Sequence, residues 1–353
     1  MESAIIVNAT ALDGSGALSI LKQFVANIPL DNKKWVVFIS PNISLNSFNQ
    51  NVRIVPVENV KSMIKRIWWD TFGVIRWLKK NKINPLAAVS LQNTGFRVGK
   101  KVPSYIYYHQ SIPFYPYHWN PFKKQERTFW FYKYIYPFFV RLFLKKSTVI
   151  FVQLEYIKKE FSKFFNHPEN NIEVYFPSVN LTPAETTDNT DCLRNCINIF
   201  YPAAPHFYKN HRIIEQALED ITTDVNIIFT IDDDNSRFND KRIKCIGSQP
   251  YETVFNLYKA SDALIFPSYI ETYGLPLLEA ASTGLPIIAA DLPYAREVLK
   301  GYEGVEFIEY NNPNRWAEAI NKVSKGIRFT PFSVKEQKSW KQLFDKLSQD
   351  LKI

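Results

Sequence analysis

Glu271 and Glu279 stand with seven residues between them in the stretch Phe266-Pro267-Ser268-Tyr269-Ile270-Glu271-Thr272-Tyr273-Gly274-Leu275-Pro276-Leu277-Leu278-Glu279-Ala280. The first carboxylate follows an apolar run that reads as a buried strand, and the second falls inside a helix. A strand end followed by a helix start leaves unpaired backbone N–H groups pointing away from the sheet, which suits a phosphate. The groups after Glu271, at Thr272, Tyr273 and Leu275, are the candidates. Gly274 allows close approach of a ligand to the backbone, and Pro276 fits the first turn of the helix. Glu279 is placed to accept hydrogen bonds from a vicinal diol such as a ribose. Glu271, in the loop, is placed to meet sugar hydroxyls near a reacting carbon.

Three further groups of residues bear on chemistry. His109 closes the strand-like run Tyr105 to Tyr108, and the carboxyl end of a strand is a functional position in an open sheet. Gly14-Ser15-Gly16 follows a strand and opens a helix, as a phosphate-facing loop does, and as many plain strand–helix turns do. Asp232-Asp233-Asp234 offers carboxylates for a divalent cation on a diphosphate, or simply a solvated loop. His118, His167, His206 and His211 have no motif around them.

The elements that must hold these residues alternate. Ala4 to Asn8 reads as a buried strand, Ala17 to Ala26 as a helix, and Trp35 to Ser40 and Val52 to Val57 as strands. Lys61 to Lys82 has helical spacing, with Ile64, Ile67, Trp68, Phe72, Ile75 and Leu78 on one stripe. Strands at Ala87 to Leu91, Tyr105 to Tyr108 and Val149 to Val152 follow. From Ser178 to Asn195 the chain turns to Thr, Asn, Asp and Pro without periodicity, and then the alternation restarts. The reading is α/β, with an N-terminal Rossmann-like domain at 1–180, a linker at 181–195, a second Rossmann-like domain at 196–330, and a closing helix at 331–353 packed back on the first. Two parallel sheets facing each other would make a cleft at the carboxyl ends of their strands.

Composition narrows the classes. The chain has 353 residues, 46% hydrophobic and 22% charged, enough to give each of two domains a core. Its three cysteines and an N-terminus without a basic leader segment point to a reducing cytoplasm. Lysine and arginine total 43 against 34 aspartate and glutamate, a net +9, with aromatics at 15%. Nucleic acid, an anionic membrane surface and a phosphorylated small molecule all answer to that charge.

The glutamate stretch resembles the E-x7-E signature of retaining glycosyltransferases of family 4, which have the GT-B fold. The resemblance runs upstream through Leu257 to Ser268 and downstream through Ala281, Gly284, Pro286 and Ile287 to Asp291-Leu292-Pro293-Tyr294-Ala295-Arg296-Glu297-Val298. It implies that Glu271, Lys209 and His109 serve catalysis. Lys209, in Tyr201-Pro202-Ala203-Ala204-Pro205-His206-Phe207-Tyr208-Lys209, matches the lysine that binds the donor diphosphate. It precedes a helix, where a cation opposes the macrodipole unless an anion lies between them. The partner arginine of the family is replaced by Ala203 and Ala204, with Arg212 the nearest substitute. His109 matches a histidine near the transferred sugar, and Gly14 and Gly16 match the loop facing the donor. The donor-binding set is then Glu279, Gly274, Thr272, Tyr273, Leu275, Gly14 and Gly16. The resemblance implies a nucleotide-diphosphate sugar as co-substrate, no cofactor and no essential metal, so the aspartate run reads as a loop.

Phe122 to Lys146 mixes Lys123, Lys124, Arg127, Lys133, Arg141, Lys145 and Lys146 with aromatic and aliphatic residues. This suits either an interfacial segment on anionic lipid or a core helix with cationic ends. The resemblance favours the first, with a saccharide acceptor that is lipid-linked, a role in surface polysaccharide (O-antigen or capsule) synthesis, and a peripheral place at the inner face of the cell membrane. No nucleic-acid-binding motif is present, and none is expected to bind. The alternatives are a non-catalytic basic membrane-associated protein with the same fold, and a sugar-nucleotide epimerase.

Overall fold

The computed structural model describes residues 2–45, 49–58, 60, 62–176, 196–232, 238, 240–332 and 339–351. The stretch read as a linker at 181–195, Cys192, and Asp233 and Asp234 of the aspartate run lie outside the described residues. The chain divides into two units, Met1–Ser178 with Glu336–Ile353, and Val179–Lys335.

Unit 1 is a seven-stranded sheet built from β1 (Glu2–Ala9), β2 (Lys34–Ile39), β3 (Val52–Pro56), β4 (Ile83–Ser90), β5 (Ser104–Tyr107), β6 (Val149–Val152) and β7 (Ile172–Val174). The strands are all parallel, in the order β3-β2-β1-β4-β5-β6-β7. Alternate side chains of β1 serve two cores, Ile5, Val7 and Ala9 on one face and Ala4 and Ile6 on the other. A parallel sheet is covered on both faces, so its central strands must be apolar throughout.

Unit 2 repeats the plan with six strands, β8 (Ile197–Tyr201), β9 (Val225–Phe229), β10 (Ile243–Cys245), β11 (Ala263–Phe266), β12 (Ile287–Ala290) and β13 (Val305–Ile308). They run parallel in the order β10-β9-β8-β11-β12-β13. In each sheet the strand order reverses once, between β1 and β4 and between β8 and β11. Open α/β sheets bind ligands just beyond the carboxyl ends of the strands at that point.

The final helix, Trp340–Asp350, belongs to unit 1. Trp340, Leu343, Phe344 and Leu347 fall on one face at helical spacing and are buried. The Trp340 ring packs edge-on to Phe24 at 5.8 Å and stacks on Tyr107 at 5.3 Å, and its indole N–H donates to Gln23 Oε1 at 2.8 Å.

Two helices of unit 1 widen locally. Met63–Trp68 continues through a π turn at Trp69–Gly73 into Val74–Lys80. The extra residue turns Trp69 and Asp70 inward with Val74 and Leu78, and leaves Ile64, Trp68 and Phe72 of the sequence stripe exposed. A Cβ on Gly73 would sit 2.4 Å from the Trp69 ring, so the turn needs glycine there. The second π turn, Phe131–Ile135, precedes Tyr136–Phe143 and its Pro137. Proline cannot donate the hydrogen bond that an unbroken α-helix requires, and the widened turn accommodates it.

Candidate functional site

In unit 2 the loops after β8 and β11 meet at the reversal of strand order. The Lys209 ammonium pairs with the Glu271 carboxylate, both side chains being about 15% exposed. The rings of Tyr208 and Phe266 lie 5.4 and 5.9 Å from the ammonium. Phe207–Lys209 forms a single tight turn, and the Tyr201 hydroxyl donates to the Lys209 carbonyl at 2.7 Å. Asn210 follows in the left-handed region (φ 59°), which asparagine tolerates better than most residues. Its side-chain amide donates to the Tyr310 carbonyl at 2.8 Å and the Pro267 carbonyl at 3.4 Å. The Tyr269 N–H reaches the Tyr208 carbonyl at 3.0 Å. Loops after β8, β11 and β13 are thus stapled together around one ion pair. Burial, followed by the Glu271 charge, pushes the Tyr201 and Tyr208 hydroxyls up, so both remain neutral donors.

Past Glu271, Thr272 is partly exposed and Tyr273 buried. Gly274 has φ 87° and precedes the helix Leu275–Ser282. A Cβ there would also press on Leu277 and Tyr294 at 3.3 Å, so this glycine is required by the fold itself. Glu279 lies on the buried side of that helix, 9% exposed, and accepts a hydrogen bond from the Tyr258 hydroxyl at 2.9 Å. Burial raises its carboxyl above the ordinary value, and the Tyr258 hydrogen bond works against that rise. Tyr258 falls within the stretch that carries the family resemblance but had no role assigned to it; it lies 21 residues upstream, and only tertiary packing brings it to Glu279.

Unit 1 carries the remaining residues. His109 stands just beyond β5, where its Nε2–H donates to the Leu91 carbonyl at 2.9 Å and its backbone N–H to Asn93 Oδ1 at 2.6 Å. Those bonds place the proton of the neutral ring on Nε2, and burial lowers its basicity. Gly14 and Gly16 begin the helix Ser15–Ala26, and a Cβ on either would stand in open space. Packing does not demand glycine at these two positions, unlike Gly274. Arg212 is exposed at the start of the helix His211–Ala217. Among the described residues no group of three His, Cys, Asp or Glu side chains is placed to hold a metal ion.

Sequence reasoning passed over a buried polar cluster at the reversal of strand order in unit 1. Asn8, Thr10, Asp70 and Gln92 are each less than 5% exposed, and Asp70 accepts hydrogen bonds from both Asn8 and Gln92. Asp70 is 62 residues from Asn8 and 22 from Gln92, so no local pattern announces the cluster.

Residues 232–341, which include Glu271 and Glu279, match the family described as glycosyl transferases group 1. A D-inositol 3-phosphate glycosyltransferase of Corynebacterium efficiens is 37% identical over 84 residues, 23% of this chain and 19% of that protein. The Mycolicibacterium smegmatis protein of the same name is 34% identical over 85 residues, 23% of this chain and 19% of its own. The chain thus spans about a fifth of the length of these curated relatives. Solved structures are similar over 91% of the chain. They include sucrose-phosphate synthase from Thermosynechococcus elongatus, with 89% of that chain covered, a TM-score of 0.66 and 14% identity. WaaG, a glycosyltransferase involved in lipopolysaccharide biosynthesis, is covered to 90% at a TM-score of 0.63 and 15% identity. Anabaena HepE, in complex with UDP and glucose, is covered to 89% at a TM-score of 0.61 and 14% identity. The two parallel sheets with flanking helices are the α/β fold of these GT-B glycosyltransferases, and the second unit carries most of the group 1 match.

Proposed function

We propose that the chain is a retaining glycosyltransferase that moves a hexose from a nucleotide-diphosphate sugar to a saccharide acceptor. The observation that carries this reading is the Lys209–Glu271 pair at the carboxyl ends of β8 and β11, one turn away from the helix that bears Glu279. Lys209 and the N–H groups of Thr272, Tyr273 and Leu275 would meet the diphosphate, and Glu279 the ribose diol. At Gly14 and Gly16 the fold leaves room for a ligand to approach the backbone. As the bond from the anomeric carbon to the phosphate oxygen breaks, the acceptor oxygen bonds that carbon on the same face. The departing phosphate oxygen then takes the acceptor proton. The protein supplies electrostatic stabilisation and positioning, with Lys209 in the place a metal ion would otherwise fill. The nearby UDP complex of HepE supports a nucleotide-sugar donor.

The acceptor is lipid-linked in this reading, and the chain works peripherally at the inner, cytoplasmic face of a membrane in surface-polysaccharide synthesis. Phe122, Phe138 and Leu142 are 89%, 64% and 47% exposed, beside Lys123, Lys124, Arg141, Lys145 and Lys146. Exposed aromatics among cations support contact with anionic lipid. No described helix is long and apolar enough to cross a membrane.

Thermal-shift measurements with UDP, GDP, ADP and dTDP test the donor, since a bound nucleotide raises the melting temperature. Transfer from the matching nucleotide sugar should be lost in Glu271→Ala and Lys209→Ala and should give a product with the donor's anomeric configuration. A folded protein whose melting temperature no nucleotide moves would overturn the reading. Sedimentation with anionic vesicles tests the membrane contact separately.

A further inference from the structure

We infer that Asp70 is a positioning residue, the hub that locks the loop after β1, which leads to Gly14, onto the loop after β4, which holds His109. The bonds can be followed atom by atom. Asp70 Oδ1 accepts from Asn8 Nδ2 at 2.7 Å, and Gln92 Nε2 donates to Oδ1 and Oδ2 at 3.2 and 3.1 Å. The other end of the same amide, Gln92 Oε1, accepts from the Ala11 N–H at 3.2 Å and from the Thr10 hydroxyl at 3.1 Å. One glutamine side chain therefore ties the loop that enters Gly14 to the carboxylate. Its backbone carbonyl accepts from the Tyr136 hydroxyl at 3.0 Å. The residues on either side of Gln92 hold His109, through the Leu91 carbonyl on Nε2 and Asn93 Oδ1 on the backbone N–H. Asn93 itself sits at φ 66°, so this short loop has little freedom to recover its shape if Gln92 lets go.

The direction of the hydrogen bonds fixes the state the hub needs. A backbone N–H can only donate, so Ala11 forces the oxygen of the Gln92 amide towards itself and the NH2 towards Asp70. Asn8 likewise presents its NH2, and the Asp70 carboxylate must act as acceptor to both. A proton on Oδ2 would set donor against donor at the 3.1 Å contact with Gln92 Nε2 and leave Oδ1 alone to accept from both amides, which loosens the grip on Gln92. The groups facing Asp70 are Arg66 on its own helix, Tyr136 from the helix Tyr136–Phe143, Asn8 from β1 and Gln92 from the loop after β4. The Arg97 N–H holds the Asp70 backbone carbonyl at 2.8 Å. Burial outweighs these partners and pushes the carboxyl up to about 7. The hub is then fully made on the alkaline side of neutrality and loosened on the acid side.

The role in turnover rests on the glycosyltransferase reading, but the hub can be tested without it. Histidine side chains labelled with 15N and observed by NMR report the His109 ring in wild type, Asp70→Asn and Gln92→Leu, with His109→Gln assigning the signal. The expected result is a moved His109 signal and a changed titration midpoint in both variants, each still unfolding cooperatively. Transfer should fall tenfold or more in each, and the acid limb near pH 7 in the wild-type rate profile should disappear in Asp70→Asn. If Asp70→Asn does not fold, Gln92→Leu alone decides, because it leaves the buried carboxylate in place. Unmoved His109 signals in the folded variants overturn the inference. A wild type that turns over no nucleotide sugar sinks the functional reading instead, and the ring signals still decide the hub.

Discussion

The two sheets reverse their strand order in the same way, yet the residues gathered at the two reversals differ in kind. Between β8 and β11 an acidic and a basic side chain face one another, each on its own loop, and three loops are stapled around them by backbone carbonyls. Between β1 and β4 a single carboxylate is held by neutral amides, with Arg66 close enough to be felt but not paired to it. The first arrangement is partly open, with both charged side chains reaching solvent. The second is closed and spends its hydrogen bonds on the protein itself. In the proposed reading, one fold supplies a binding device at one reversal and a positioning device at the other.

That contrast can be broken most directly at Lys209. Lys209→Ala should lower transfer by about 100-fold or more, the scale of losing one preorganised electrostatic group, while circular dichroism and melting stay near wild type. A comparable loss of fold would make the ion pair structural, like the hub. Asp70 offers the next test, through stability. Its folded value of about 7 lies above the ordinary aspartate value of about 4, so the folded state keeps a proton that the unfolded chain releases. Stability should therefore fall as pH rises from about 4 to about 7, by up to about 1.4 kcal/mol per pH unit, and Asp70→Asn should lack that slope. Chemical denaturation of both proteins across that range measures it. Activity and stability would then move in opposite senses, because the ionised hub orders the loops and yet costs burial energy.

The glycines provide a smaller contrast. Gly274→Ala must hold a Cβ at φ 87° against Leu277 and Tyr294, and should cost about 1–2 kcal/mol in urea unfolding. Gly14→Ala, with open space around the new Cβ, should change stability by less than about 0.5 kcal/mol and show any effect in donor binding by calorimetry. The fold itself should change least in Glu279→Gln, which keeps the Tyr258 hydrogen bond but weakens the acceptor for a ribose. Nucleotide affinity should drop about tenfold, read by the same titration, with the fold intact.

How much of this could be read in advance follows from distance along the chain. Glu271, Gly274 and Glu279 lie within one strand–turn–helix passage, so their spacing alone sets which falls on the loop and which on the helix. Lys209 needed a resemblance, since 62 residues separate it from the carboxylate it meets. The roles of Tyr258 and Asp70 could not be read in advance, for both arise only through contacts across elements. The helical stripe from Ile64 to Leu78 misled for a different reason. A regular α-helical period assumes a regular helix, and the π turn at Trp69–Gly73 shifts the buried face by a residue midway.

The amino-acid sequence determined the alternation of apolar strands and amphipathic helices and the glutamate passage, because each depends on side chains within a few residues of one another. Tertiary structure alone decided which carboxylate meets a cation, which is buried among amides, and which glycine the fold requires. Those outcomes depend on the surroundings of each group, and the surroundings are built from strands and loops tens of residues away.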